Sequence, residues 1–284
     1  MTSNENMAIA IPENFDSITD DQLMQLTGQG IAVGGDSPSV LSRLSINYQA
    51  EDDNDKPLPR GWFSLRVGEK TAYAKTVDFR MFMRVFSYSY WDNAEDTFVG
   101  SVQRPSLSDQ FPDVQGGYKC GKLTKDELAE LNDTDPKKIL SNQVKCNQVI
   151  YGTANISEGK YADDSPFEPI ENHPCVFYAK GVNYIPFQKV INNLARQKKP
   201  MIRTVLSLAT KKQKTTGNTF FIVEPTVKTS VDTISNDDKV LLKEFADTVQ
   251  AVNESVMEKH REAVKLKTND GDHSLAIDIE AQPA

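Results

Sequence analysis

The side chains best suited to chemistry include those of a basic segment in the second half of the chain. Residues 173–228 carry ten Lys and Arg against one acid, Glu224, a net charge of +9 in a chain whose total is −8. A local excess of positive charge is typical of a surface that binds a polyanion. A merely solvated charged face is the alternative. The candidate phosphate contacts in this segment are Lys180, Arg196, Lys198, Lys199, Lys211, Lys212 and Lys214.

Aromatic and basic residues also alternate over residues 79–90. The period of two of a β-strand would place one set on a single face: Arg80, Phe82, Arg84, Phe86, Tyr88 and Tyr90. Single-stranded nucleic acid is held by basic grooves with aromatic rings, each stacked base contributing about 1–3 kcal/mol. Lys119, Lys122, Tyr178 and Tyr184 add further members of the same types. The alternative is that Phe82, Phe86 and Tyr88 fill a hydrophobic core.

Motifs for catalysis are mostly missing from the sequence, which predicts a protein that is not an enzyme and needs no cofactor. There is no phosphate-binding glycine loop, no His-Glu-x-x-His and no Gly-x-Ser-x-Gly. Cys120, Cys146, His173 and Cys175 have the composition of a structural zinc site. They lack the Cys-x-x-Cys spacing, so buried, reduced cysteines are favoured and no metal is predicted.

The strands that would position these residues are indicated by alternation and turn signals. Residues 62–67 and 71–76 predict a hairpin around Gly68, and residues 201–210 and 219–227 predict another around a basic tip at 211–218. Further strand patterns occur at 40–48, 99–104, 144–156 and 175–184, and Pro186 begins a helical pattern that runs to about residue 198. The fold class is therefore mostly β with helical additions, and residues 40–228 are expected to form an elaborated OB-like β-barrel.

The ends of the chain differ from this core. Residues 1–39 are an acidic arm with one short helix signal, and 268–284 form a polar tail. Over 229–267 an apolar stripe predicts a long amphipathic helix: Leu242, Phe245, Val249, Val252 and Val256, spaced 3, 4, 3 and 4 residues apart. Docking of this stripe on the core is favoured over a homo-oligomer formed through the helix.

Several runs resemble a family of single-stranded DNA-binding proteins found in tailed-phage replication gene sets. The runs are GWF at 61–63, YAKTVDFR at 73–80, GGYKCGK at 116–122, KCNQVIYG at 145–152 and PCVFYAKG at 174–181. The resemblance covers about residues 40–228 and implies an OB-type barrel. It supports as groove residues Lys75, Arg80, Lys119, Lys122, Tyr178 and Lys180. The C-terminal sequence IDIEAQPA lacks the terminal aromatic residue with which many such proteins recruit partners.

The expected function is sequence-independent binding and protection of single-stranded DNA in phage DNA replication or recombination. Phage replication proteins are candidate partners, and the host cytoplasm is the expected location. A membrane partner is not expected, because no apolar run reaches the roughly 18–20 residues of a span. Two alternatives stay open: a phage structural or assembly protein that makes protein contacts, and, behind it, a metal-dependent nuclease.

Overall fold

A computed structural model describes residues 41–52 and 55–269, and the described chain is mostly β. Its ten strands are β1 (Ser42–Ile46), β2 (Phe63–Val67), β3 (Lys70–Ala74), β4 (Thr76–Asp92), β5 (Thr97–Gly100), β6 (Lys145–Ile156), β7 (Lys160–Tyr161), β8 (Ile170–Lys180), β9 (Thr204–Thr215) and β10 (Asn218–Ser230). Its α-helices are α1 (Lys125–Glu130), α2 (Pro136–Gln143), α3 (Tyr184–Arg196) and α4 (Asn236–Asn269). The predicted arm at 1–39 and residues 270–284 of the tail lie outside the described residues.

The mostly β class and the long C-terminal helix are therefore confirmed, with smaller differences at single elements. The segment expected as a strand over 175–184 is strand β8 only as far as Lys180, and Tyr184 already begins α3. The strand expected over 99–104 is shorter, because β5 ends at Gly100.

All ten strands belong to one sheet, in the order β10-β9-β4-β6-β8-β1-β2-β3-β7, with β5 paired to β4. The pairings are antiparallel except that of β1 with β8. The hydrogen-bonded path ends at β10 and β7, so the sheet is not closed and an OB-like barrel is not confirmed. Only Lys75 separates β3 from β4, and residues of both strands share one hydrophobic cluster, so the sheet curls around a common core.

Two hairpins form where glycine supplies a positive φ angle at a tight turn. Gly68 (φ +60°) joins β2 to β3, and Gly217 (φ +94°) follows Thr216 in the two-residue turn between β9 and β10. Short hairpin turns need such backbone angles, which glycine adopts without steric cost. Both predicted hairpins are confirmed. The second is longer than expected, because β9 continues through the basic residues to Thr215.

Helix α4 covers one face of the sheet with the stripe that the sequence predicted. Leu242, Phe245 and Val249 join a cluster with residues of β4, β6 and β8, and Val252 and Val256 are also buried. Burying a side chain of this size contributes about 1.5–3 kcal/mol, so burial of the stripe stabilises the attachment of the helix to the sheet. Docking on the parent domain is confirmed, and the stripe is not exposed for a second copy to use.

A β-bulge in β4 changes which way its side chains point. The register with β6 shifts between Met81 and Met83, so Phe82 is an extra residue. Gly152 lies opposite Met81, where a Cβ atom would sit 2.2 Å from the carbonyl oxygen of Arg80. A glycine facing a bulge is a common device for such a close backbone approach. Beyond the bulge, residues that period two assigns to one face point to the other.

Candidate nucleic-acid interface

The bulge separates the residues that were expected to line one groove. Arg80 and Phe82 face helix α4, where they contact Asp238 and Phe245. Beyond the bulge, Arg84 contacts Gln188 of α3 on the other side of the sheet. The remaining even-numbered members, Phe86, Tyr88 and Tyr90, join a third hydrophobic cluster. The expectation of a single aromatic and basic face on this strand is therefore wrong.

The aromatic rings of β4 are also covered. Phe82 and Phe86 have no exposed surface, and Tyr88 and Tyr90 are buried. Phe82 packs edge-on against Phe245 with ring centroids 5.7 Å apart, and Tyr88 does so against Phe111 at 5.1 Å. A stacked base needs an open ring face, so these four side chains are core residues in this conformation.

The two arginines of β4 are engaged inside the protein. Arg80 donates two hydrogen bonds to the Asp238 carboxylate, of 2.7 and 2.9 Å, and a third of 2.7 Å to the carbonyl oxygen of Ile202. Arg84 is fully buried beside the amide oxygens of Gln148 and Gln188, and burial lowers the pKa of its guanidinium to about 10. Neither guanidinium group presents an open surface to a phosphate.

Other predicted residues have structural partners as well. Tyr178 is buried beneath the guanidinium of Arg43, 4.5 Å from the ring centroid, and Tyr184 is half-buried against the third cluster. Lys122 donates to the carbonyl oxygens of Ser141 and Val144 at the end of α2, and burial lowers the pKa of this lysine. Lys119 is half-buried and occupies the left-handed region, with φ at +52°.

Among the basic residues predicted to contact phosphates, six exposed ones form two clusters. Arg196, Lys198 and Lys199 are exposed at the C-terminal end of α3, where positive charge suits the helix dipole. A second exposed cluster on β9 consists of Lys211, Lys212 and Lys214. Lys214 lies ten residues along β9 from its first residue, about 33 Å of extended strand. Lys180 is exposed at the end of β8, and the length of β9 separates the cluster after α3 from the cluster near the hairpin turn.

One surface does combine basic and aromatic side chains, and we call it the hairpin rim. It consists of accessible residues of the β1–β2 connection, the β3–β4 junction and the β9–β10 hairpin: Tyr48, Arg60, Trp62, Lys75, Lys212 and Lys214. The Tyr48 hydroxyl donates to the carbonyl oxygen of Phe221 at 3.3 Å. Lys212 lies directly opposite Phe221 in the ladder, so both side chains are on one face. The Thr210 hydroxyl donates to the carbonyl oxygen of Gly61, which ties the two segments together.

The aromatic rings of the rim are accessible, unlike those of β4. Tyr48 is 45 % exposed, and Trp62 is partly exposed with the ammonium of Lys75 5.3 Å from its ring centroid. Gly61 makes the close approach possible, because a Cβ atom there would lie 2.3 Å from the Phe221 ring. The rim therefore places two accessible rings among exposed cations.

Sequence reasoning missed Tyr48 and Trp62 as candidate binding residues. A signal for Trp62 was present, because the predicted β2–β3 hairpin pairs Phe63 with Ala74 and so sets Trp62 beside Lys75. Tyr48 had no comparable signal, since its neighbour Phe221 is 173 residues away along the chain.

The four residues of the possible zinc set are not brought together. Cys175 is buried in the hydrophobic cluster that β3 and β4 share, whereas Cys120 lies in the third cluster with Phe86 and Tyr88. Within residues 41–52 and 55–269 there is no group of three or more His, Cys, Asp or Glu arranged to hold a metal ion. Among the described helices, none is both long and apolar enough to cross a membrane.

Comparisons with protein-family models, curated proteins and solved structures found no match to this chain.

Proposed function

We propose that this protein binds single-stranded DNA without sequence preference through the hairpin rim, and protects it during phage replication or recombination. The observation that carries the proposal is the exposure of Tyr48 and Trp62 beside the lysines of the rim. Stacking on accessible rings and neutralisation of phosphates by nearby cations together suffice for sequence-tolerant binding. The phage setting is supported by the sequence resemblance alone.

The number of cations at the rim sets the expected salt dependence. Arg60, Lys75, Lys212 and Lys214 are all exposed. Each phosphate neutralised on a single strand contributes about 0.7 to the slope of log K against log salt. Four contacts thus predict a slope of about −3. Lys211, just outside the rim, has an exposed ion pair with Glu224 at 3.4 Å, which contributes little.

The finer fold assignment belongs to the same proposal. We propose that the curled sheet acts as a half-open barrel, comparable to OB folds in presenting a strand surface and its adjoining loops to the ligand. The connectivity is not that of an antiparallel Greek key, since β8 returns to lie beside β1 in the order β8-β1-β2-β3 but pairs with it in parallel. The proposed similarity therefore concerns how a ligand is held and not the path of the chain.

Fluorescence anisotropy with a labelled oligothymidylate, titrated at several salt concentrations from about 50 mM upward, tests the proposal. K212Q/K214Q should reduce the magnitude of the salt slope by about 1.4. K198Q/K199Q removes the same charge from the cluster after α3 and serves as the matched control. Tyr48→Ala or Trp62→Ala should weaken binding about tenfold without changing the slope, since stacking contributes about 1–3 kcal/mol per base.

Two results would refute the assignment. Absence of binding by the natural sequence at about 50 mM salt would remove the function itself. An equal loss of slope in K198Q/K199Q and K212Q/K214Q would show that the DNA also contacts the cluster after α3, so the rim alone is not the site.

A further inference from the structure

The β4–β5 hairpin carries an exposed aromatic pair at the end of β4 farthest from the rim. Trp91 and Phe98 are directly opposite each other in the ladder, so their rings share one face. They are 51 % and 40 % exposed. Tyr90 and Val99, on the other face, are buried in the third cluster and hold the hairpin in place. The exposed face is therefore an apolar patch on a fixed support.

The turn of this hairpin is acidic. Residues 91–98, which we call the acidic tip, contain Asp92, Glu95 and Asp96 and no basic residue, a charge of −3. The Asp92 carboxylate accepts hydrogen bonds from the backbone N–H groups of Ala94 and Glu95, at 3.0 and 3.4 Å. The carboxylates of Glu95 and Asp96 are in exposed residues. The tip thus combines two aromatic rings with negative charge.

The basic hairpin β9–β10 projects from the opposite end of β4. Ala209 lies opposite Thr76, the first residue of β4, and β9 runs antiparallel, so residues 210–215 extend beyond that end. Strand β5 pairs with residues 89–92 at the other end. The sixteen steps from Thr76 to Asp92 correspond to about 53 Å of extended strand. Residues 211–214 carry +3, which matches the tip in magnitude, and within one copy the two segments lie beyond opposite ends of β4.

We propose that the acidic tip of one copy docks on the β9–β10 hairpin of a second copy, which gives a head-to-tail chain. The two surfaces differ, so the contact is heterologous, and repetition of it extends the assembly as an open chain unless the rotation between copies closes a ring. Opposite charges steer the contact, and the rings of Trp91 and Phe98 can cover lysine side chains in cation–π geometry. A hairpin-on-hairpin contact is small, so the association is weak and sensitive to salt.

The hairpin surface is shared with the proposed function, because Lys212 and Lys214 belong to the rim. If the rim binds single-stranded DNA, the nucleic acid competes with the acidic tip for these lysines. This competition rests on the proposed function, whereas the self-association does not.

Sedimentation velocity on the full chain tests the proposal without nucleic acid. At low salt the weight-average sedimentation coefficient should rise with protein concentration, and raising the salt should reverse the rise. The tip variant W91A/F98A and the hairpin variant K211E/K212E/K214E should each stay monomeric. Mixed in equal amounts they should form dimers and nothing larger, because the mixture keeps one intact tip and one intact hairpin per pair. Misfolded variants could not regain association on mixing.

K198E/K199E is the matched control and should associate like the natural sequence. A natural sequence that stays monomeric at low salt, a variant that still associates alone, or a mixture without dimers would each overturn the proposal. If the acidic tip instead binds an unrelated basic partner, the natural sequence would stay monomeric at low salt. Addition of oligothymidylate should dissociate the head-to-tail assembly into monomers. A failure of that last step, with self-association intact, would count against the proposed function only.

Discussion

Asn in place of Asp238 should destabilise the fold more than any other single removal of a carboxylate from α4, because two interactions end on this side chain. The Ser235 hydroxyl accepts from the backbone N–H of Asp238 at 3.1 Å, and the Ser235 N–H donates to the carboxylate at 2.8 Å, which forms a capping box. The same carboxylate holds Arg80 through its bidentate contact. Asp238 therefore fixes the start of the helix to strand β4.

The size of the effect follows from burial. The side chains of Arg80 and Asp238 are only 12 % and 11 % exposed, so D238N leaves a largely desolvated guanidinium without its counter-charge. Removal of one partner from a buried ion pair costs about 3–5 kcal/mol. The amide oxygen of Asn can still accept from Ser235, so most of the capping energy of about 1 kcal/mol is kept. We expect a loss of about 3 kcal/mol in the free energy of unfolding.

The effect should also depend on pH. Burial by itself would raise the pKa of Asp238, but hydrogen bonds from Arg80 and Ser235 outweigh it and hold the pKa below its ordinary value. A carboxylate with a lowered folded-state pKa stabilises the fold above its unfolded-state pKa, about 3.9, and loses that contribution as the pH falls through the folded-state value. The difference between the natural sequence and D238N should therefore shrink below about pH 4.

Urea unfolding followed by circular dichroism measures these differences. Asp237→Asn removes a neighbouring, exposed carboxylate from the same first turn and is the matched control. Ser235→Ala isolates the cap and should cost about 1 kcal/mol. In the double variant R80M/D238N the cost should be smaller than the sum of the single changes, as expected for contacting partners. If D238N destabilises no more than Asp237→Asn, the ion pair does not anchor the helix and the reasoning is refuted.

Three further results are expected. Gly61→Ala should lower the free energy of urea unfolding by about 2–3 kcal/mol, because its Cβ would collide with an aromatic ring of β10. Gly68→Ala, with open space around it, should cost only about 1 kcal/mol. Equal costs would contradict the close approach of Gly61 to that ring. Asn253→Ala should cost about 2–4 kcal/mol, since it leaves the buried main-chain N–H and carbonyl groups of Gln103 without partners. The surface change Gln250→Ala should cost less than about 0.5 kcal/mol. Burial raises the pKa of Cys146 to about 11. Alkylation of the native thiol near pH 7 should therefore be about 100-fold slower than that of an unperturbed thiol, and it should speed up with rising pH. Rapid labelling at neutral pH would show that the thiol is not buried.

Local turn chemistry and helix periodicity made much of the fold predictable. The glycine turns defined both hairpins, and the 3-4 spacing of the stripe defined α4 and its buried face. What could not be predicted was where a regular pattern stops. The alternation of residues 79–90 assumes an unbroken ladder, and the bulge at Phe82 is set by Gly152, which lies on another strand. The pairing of Arg80 with Asp238 likewise joins residues 158 positions apart.

The same limit applies to the charge of residues 173–228. A net charge counted along the sequence suggested one basic patch, yet the length of β9 separates the cluster after α3 from the lysines near its tip. Part of the charge is also paired, as Lys228 contacts Asp78 at 2.6 Å. Nine phosphate contacts on a single strand would give a salt slope of about −6, whereas the rim alone gives about −3. A measured slope near −6 would mean that one strand reaches both clusters, and a slope near −3 would place the ligand on the rim.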